Sequence, residues 1–327
     1  MASKILAVAI GEVDLTVSIT NSPPPPYVRA YINGLIAGLY NNGKAIGAAA
    51  DYTIDYRECP VSHLVSYALN NLAAADVVFC MSERVMNLVW HFMHPHPIPV
   101  PPPPVKPIVG VISDHSFFDG KADVYGYSAK RSQTAVACYN AFLATVPSLQ
   151  SVYVLNDPSH GPSKAALGQL TKLIAGAIDV SNATTPIPTA ITNYWKTGTV
   201  VGNPGILVLP IDRCFGAADA INLWGFNNQV PIFWPVTDRV YHTTSVGQPS
   251  ALGGYGVTQE HCGEVMGGQV AQVLWGRSPP SPQFVEAVTY SPTTTAFTDI
   301  TWAASQAAAT AADISLVNPT PRGLTVL

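Results

Sequence analysis

Residues 75–89, ADVVFCMSERVMNLV, set the terms for the rest of the chain. Val77 to Cys80 is a short unbroken apolar run, the pattern of a strand covered on both faces in a parallel sheet. Ser82 follows at once, and Val85, Met86 and Val89 then fall at helical spacing. Serine is a good N-cap there, because its hydroxyl accepts from a backbone N–H of the first helical turn. The stretch therefore reads as strand, tight turn, capped helix. In an open α/β sheet such a turn lies at the carboxyl edge, where ligands bind, and the helix dipole favours an anion such as a carboxylate.

The same design recurs at residues 205–211, GILVLPI, a second buried strand. Asp212 ends it, and a helical pattern follows through Ala217, Ala220 and Leu223. When the two stretches are superposed, Ser82 falls on Asp212. One chain thus offers a hydroxyl at one strand end and a carboxylate at another. If the two halves face each other, they suit a ligand carrying both charges.

Composition narrows the function classes. A chain of 327 residues has room for two domains. Charged residues are only 11%, with a formal net charge of -4, so no Lys/Arg cluster exists to pair with many phosphates and nucleic acid is excluded as a partner. No apolar run reaches the ~18 residues of a membrane helix, so direct membrane insertion is not expected. Cys59, Cys80, Cys138, Cys214 and Cys262 are scattered, odd in number and without a CxxC pair, which argues against a disulfide framework or a zinc site. His91, His94 and His96 lie in WHFMHPHP, but the prolines break the helix that would align them and no carboxylate or thiol is near, so no metal and no cofactor are expected. The N-terminus runs almost directly into a strand and has no signal-peptide pattern, as expected of a cytoplasmic protein or of a mature chain whose leader was removed.

Read in order, the chain alternates strand and helix twice. Strands are expected at 5–10, 52–56, 77–80 and 108–112, then at 151–155, 178–180, 206–211, 231–234, 252–257 and 284–290. Helices are expected at 27–39, 62–72, 129–143, 163–177, 259–275 and 302–312, with others after Ser82 and Asp212. Residues 11–26 and 95–107 read as proline-rich loops. This alternation indicates two parallel sheets with helices on both faces.

Several landmarks in this order resemble one family, the type I periplasmic solute-binding proteins of ABC transporters, in the branch of tryptophan and tyrosine binders. They are YTIDYR at 52–57, ADVV at 75–78 with Ser82 in the next turn, PIVGVISD at 107–114, VYVLN at 152–156, the strand ending in Asp212, PIF at 231–233, and YGV at 255–257 before a glycine-containing helix. The resemblance spans nearly the whole chain. It implies two doubly wound α/β lobes joined by a three-strand hinge, with lobe 1 at 1–114 plus 241–289 and lobe 2 at 115–240 plus 290–327. It also implies a ligand held in the cleft between the lobes, an ABC permease as partner and a periplasmic or extracytoplasmic location. The loop at 14–26 and the proline loop at 95–107 are longer than the family's, so the ligand is expected to differ from its commonest one.

Carried over residue by residue, the resemblance makes Ser82 the carboxylate binder, helped by the N–H groups of Glu83 and Arg84. Asp212 pairs with a ligand amine, and Asn156 bridges from the homologous strand end. Asp114 and Asp238 lie at crossovers, in hinge or cleft roles. Tyr255 forms a side wall, and Phe117, Phe118 and Trp234 pack on an apolar or aromatic side chain. The plainer alternatives are helix caps for Ser82 and Asp212 and core packing for the aromatic residues; Arg57, at a strand end, is read as a surface ion pair rather than a contact to an acidic ligand group. The expected function is binding of an amino acid or related small carboxylate, with no enzymatic activity. The alternatives are a two-lobed enzyme such as a cysteine-pair racemase, and a freestanding ligand sensor. Against the first, Cys80 and Cys214 do not occupy matching positions, and there is no GxSxG, phosphate loop or HExxH.

Overall fold

The computed structural model describes residues 2–10, 15–20, 24, 28–46, 51–60, 63–64, 69–95, 104–112, 118, 120–130, 133–241, 251–287, 300–311, 313–316 and 324–326. Among them the strands are β1 Ser3–Ile10, β2 Leu15–Ile19, β3 Tyr52–Cys59, β4 Val77–Cys80, β5 Ile108–Ile112, β6 Val124–Ser128, β7 Ser151–Asn156, β8 Gly176–Asp179, β9 Pro204–Val208, β10 Ile232–Trp234, β11 Gly253–Val257, β12 Phe284–Glu286, β13 Ile300–Ala304 and β14 Thr325–Val326. The α-helices are α1 Arg29–Asn41, α2 Glu83–Met93, α3 Ala135–Thr145, α4 Gly161–Leu170, α5 Ile187–Lys196, α6 Asp212–Gly216, α7 Ala218–Asn227, α8 Asp238–Tyr241, α9 Gln259–Trp275 and α10 Gln306–Ala311.

The chain forms two compact units. Unit 1 is Met1–Ala129 with Gln259–Glu286, and unit 2 is Lys130–Thr258 with Ala287–Leu327. The sequence-derived division is redrawn at two places. β6 hydrogen-bonds to β5 along its whole length and stays in unit 1, and β11 pairs with β10 and stays in unit 2. The chain passes between the units after Ala129, Thr258 and Glu286.

Unit 1 holds a seven-stranded sheet in the order β12-β6-β5-β4-β1-β3-β2. β1 is central and parallel to both neighbours, with Ile5 opposite Ile54 and Val77. Its buried run therefore has side chains to pack on both faces, which is why it reads as continuous rather than alternating. β2 is a correction to the expected loop: it pairs antiparallel with β3, Val17 opposite Tyr56, so the sheet is mixed. Residues 15–19, LTVSI, alternate apolar and polar as an edge strand does. Of the helix expected at 62–72, His63 is 3-10 and Leu64 α-helical, and a 3-10 turn covers Leu69–Ala74; residues 62 and 65–68 lie outside the described ones.

α9 returns to unit 1 from the far end of the sequence and lies on α1. Two glycines on each helix make the approach close. A Cβ at Gly34 would lie 2.0 Å from the Glu260 carbonyl oxygen, and one at Gly38 would lie 2.1 Å from that of Glu264. Gly263 and Gly267 face Tyr31 and Leu35 in the same way. This contact fastens a discontinuous segment to the unit. Ile32, Leu35 and Leu39 on α1 are fully buried, stabilising the unit by roughly 1.5–3 kcal/mol each.

Unit 2 repeats the plan with the order β14-β13-β11-β10-β9-β7-β8. β7 to β11 are parallel, and β13 is antiparallel to β11. The helix expected over 302–312 is instead strand β13 followed by the short α10. α5 occupies Ile187–Lys196, where no element is expected from the sequence pattern. Phe142 and Phe233 stack at 4.9 Å in the core. No helix among the described residues is long and apolar enough to cross a membrane.

Candidate functional site

In each unit the parallel strands run in the order 2-1-3-4-5. The chain makes β1, steps outward to β3, and returns to the other side for β4; unit 2 does the same with β7, β8 and β9. The loops leaving the first and third strands therefore diverge, opening a crevice at the carboxyl edge where α/β sheets bind ligands. Ser82 follows β4 and Asp212 follows β9, so each stands at its own unit's switch point.

In unit 1, Ser82 is nine-tenths buried and extended (φ -158, ψ 159), and its Oγ accepts from the Val85 N–H at 3.3 Å. The cap expected from sequence is present. Glu83 and Arg84 occupy the first turn of α2, half-buried. Asp114 and Phe117 lie outside the described residues. Phe118 is fully buried, with its ring 6.4 Å from that of Phe284. On β3, Arg57 Nε is buried without a hydrogen-bond partner. Its neighbour Glu58 is buried and accepts from the Tyr56 hydroxyl.

In unit 2 the turn after β7 is tightly self-bonded. Ser163 Oγ donates to Asn156 Oδ1 and accepts from the Asp157 N–H, each at 3.1 Å. Asp157 Oδ1 accepts from the N–H and hydroxyl of Ser159 at 2.9 and 2.6 Å. Asn156 is therefore held at the strand end by the protein itself. His160 comes next, just before α4, with 7% of its surface exposed. Its Nε2 lies 3.8 Å from Asp212 Oδ2, too far for a hydrogen bond. Both imidazole nitrogens and Asp212 Oδ2 are buried without a hydrogen-bond partner. Asp212 is the first residue of α6, where the helix dipole favours a negative charge. Arg213 turns away from it, donating to the carbonyls of Val180 and Asn182 at 2.9 and 2.6 Å, and so anchors the loop after β8.

The remaining candidates lie elsewhere in unit 2. Trp234 is fully buried, with its indole N–H donated to Asn222 Oδ1 at 2.9 Å and its ring 5.8 Å from Phe215. It sits in the core. Tyr255, on β11 opposite Trp302, is half-buried, and burial pushes its phenol up. Asp238 begins α8 and is buried. His160 was missed from sequence because only the fold brings it to Asp212. A groove of about 280 Å³, lined in part by Ser148, Asn203 and Asp313, lies by the amino ends of β7 and β9, away from these groups.

Of the histidine tract, His94 stacks on Trp90 at 4.6 Å and His91 meets the same ring edge-on; His96 lies outside the described residues. No group of three or more His, Cys, Asp or Glu among the described residues is placed to hold a metal ion.

No family profile matches the chain. No curated protein is significantly similar to it in sequence. Solved structures are similar in fold. A conserved domain protein from Vibrio cholerae has a TM-score of 0.69 at 16% identity, covering 100% of this chain and 99% of that one. An ABC domain from Streptococcus pneumonia, solved in complex with L-Trp, has a TM-score of 0.67 at 13% identity, covering 99% of each chain. The periplasmic component of an ABC-type sugar transport system from Hahella chejuensis has a TM-score of 0.51 at 14% identity, covering 86% of this chain and 97% of that one. With its two mostly parallel seven-stranded sheets, each flanked by helices, the chain has the type I periplasmic solute-binding-protein fold.

Proposed function

We propose that the protein is an extracytoplasmic binding protein that takes up an amino acid or related small carboxylate with an apolar or aromatic part and presents it to an ABC permease. The observation that carries the reading is Asp212 Oδ2, a buried carboxylate oxygen without a hydrogen-bond partner at the switch point of its sheet. Leaving such an atom unsatisfied costs about 1–3 kcal/mol, which a ligand ammonium recovers. Ser82, at the switch point of unit 1, opens a helix whose dipole suits a carboxylate. The fold supports the same reading, and L-tryptophan, the ligand of the Streptococcus relative, is the first compound to try. Binding rather than catalysis is also favoured by the cysteines. Cys80 and Cys214 are wholly buried, and burial pushes the Cys80 thiol up, away from reactive thiolate.

The test measures thermal shift and product formation with the twenty L-amino acids. A raised melting temperature without product is expected. Asp212→Asn should then weaken the amino acid at least tenfold, about 1.4 kcal/mol, and leave its deaminated analogue nearly unchanged. Turnover, or equal losses for both compounds, overturns the reading.

A further inference from the structure

His160 has no role in the sequence-derived site, yet its side chain shares Asp212's situation and stands beside it. Among the described residues, three of the six buried side-chain atoms without a hydrogen-bond partner belong to this pair. His160 Nε2 and Asp212 Oδ2 stand 3.8 Å apart, from loops on adjacent parallel strands. A charged imidazolium–carboxylate hydrogen bond would close to roughly 2.7–2.9 Å. At 3.8 Å the two atoms share no hydrogen bond, and each is short of one partner. The surrounding turn offers no replacement. Ser163 is committed to Asn156 and Asp157, Ser159 is committed to Asp157, and Arg213 is committed to the carbonyls beyond β8.

We infer that His160 is a second ligand contact, with Nε2 and Asp212 Oδ2 accepting two hydrogen bonds from one ligand ammonium. This rests on the reading that Asp212 meets a ligand amine, and it adds a specificity: the site takes primary amines and rejects amines with no proton left for the second acceptor. A primary ammonium carries three donors and no acceptor, so it can satisfy both atoms at once and keep one proton for a further contact. Nδ1 also lacks a hydrogen-bond partner among the described residues, so none of these fixes the tautomer. The ammonium selects it, with the imidazole proton on Nδ1 and the lone pair on Nε2.

The experiment is calorimetric titration of wild-type protein, Asp212→Asn, His160→Phe, His160→Gln and His160→Asn. The probes are the twenty L-amino acids and, for each that binds, its deaminated and N,N-dimethylated forms. His160→Phe should lose at least tenfold in affinity for the amino acid and under twofold for the deaminated acid. His160→Gln, whose amide oxygen reaches towards the place of Nε2, should keep more affinity than His160→Asn, whose amide matches Nδ1. The dimethylated form should bind wild-type protein at least tenfold more weakly than the parent. If His160→Phe binds like wild type while Asp212→Asn does not, His160 has no part in recognition, and the inference alone falls. If His160→Phe does not fold, equal affinities of the Gln and Asn variants overturn it. If no amino acid binds wild-type protein, or Asp212→Asn is indifferent, both the inference and the reading beneath it fall.

Discussion

The Tyr56 hydroxyl donates to Glu58 Oε2 at 2.6 Å, two residues along the same face of β3. Glu58 is 5% exposed, and burial raises its carboxyl from 4.5 to about 7; the Tyr56 bond, which favours the ionised form, offsets part of the rise.

Stability should therefore depend on pH through Glu58. Its folded pKa is raised, so its contribution is fully present below pH 4.5 and is lost as pH climbs through about 7. The loss is on the order of 3 kcal/mol. Urea unfolding from pH 4.5 to 8 should show Glu58→Gln with a shallower decline than wild type, and more stable than it at pH 8. Parallel profiles for the two proteins would show that Glu58 is not the group responsible.

The close helix contact in unit 1 reverses the usual effect of glycine. In an exposed helix interior, Gly→Ala stabilises by up to about 1 kcal/mol. At Gly168 on α4 an added methyl would have open space for 4 Å around it, so Gly168→Ala should gain a few tenths to about 1 kcal/mol. Gly38→Ala on α1 meets a backbone oxygen at 2.1 Å that no rotamer change can move, so it should lose about 1–3 kcal/mol. Chemical denaturation of both variants should give opposite signs; a gain at Gly38 would mean that the helices do not approach this closely.

Trp234 separates core packing from ligand contact. Trp234→Phe removes the indole N–H and leaves Asn222 Oδ1 without its 2.9 Å partner, for a loss of about 2 kcal/mol in stability. Affinity for any amino acid that binds should stay within twofold. A large fall in affinity with stability unchanged would return Trp234 to the ligand wall expected from sequence.

Local sequence was enough for β4 and the start of α2. Val77–Cys80 is an unbroken apolar run, and Ser82 caps within three residues, so both elements are legible without their distant partners. Residues 302–312 show the opposite case. The alanine-rich run favours a helix, yet Ile300–Ala304 is a strand. Trp302 pairs with Tyr255 on β11 and donates its indole N–H to Thr145 at 3.1 Å. Those long-range bonds outweigh a propensity difference of a few tenths of a kilocalorie per residue. β6 was missed for a related reason: VYGYS is short and interrupted by Gly126, which lies against the Gly110 backbone and has no signature of its own.

Apolar periodicity and short-range capping alone account for the alternating strands and helices, the buried central strands, and the positions of Ser82 and Asp212 at strand ends. The assignment of strands to sheets, the threading of α9 back onto α1, and the meeting of His160 with Asp212 arise only in the folded chain. Hydrogen-bond ladders and buried polar pairs form between residues far apart in sequence, and their energies depend on distances that no local pattern encodes.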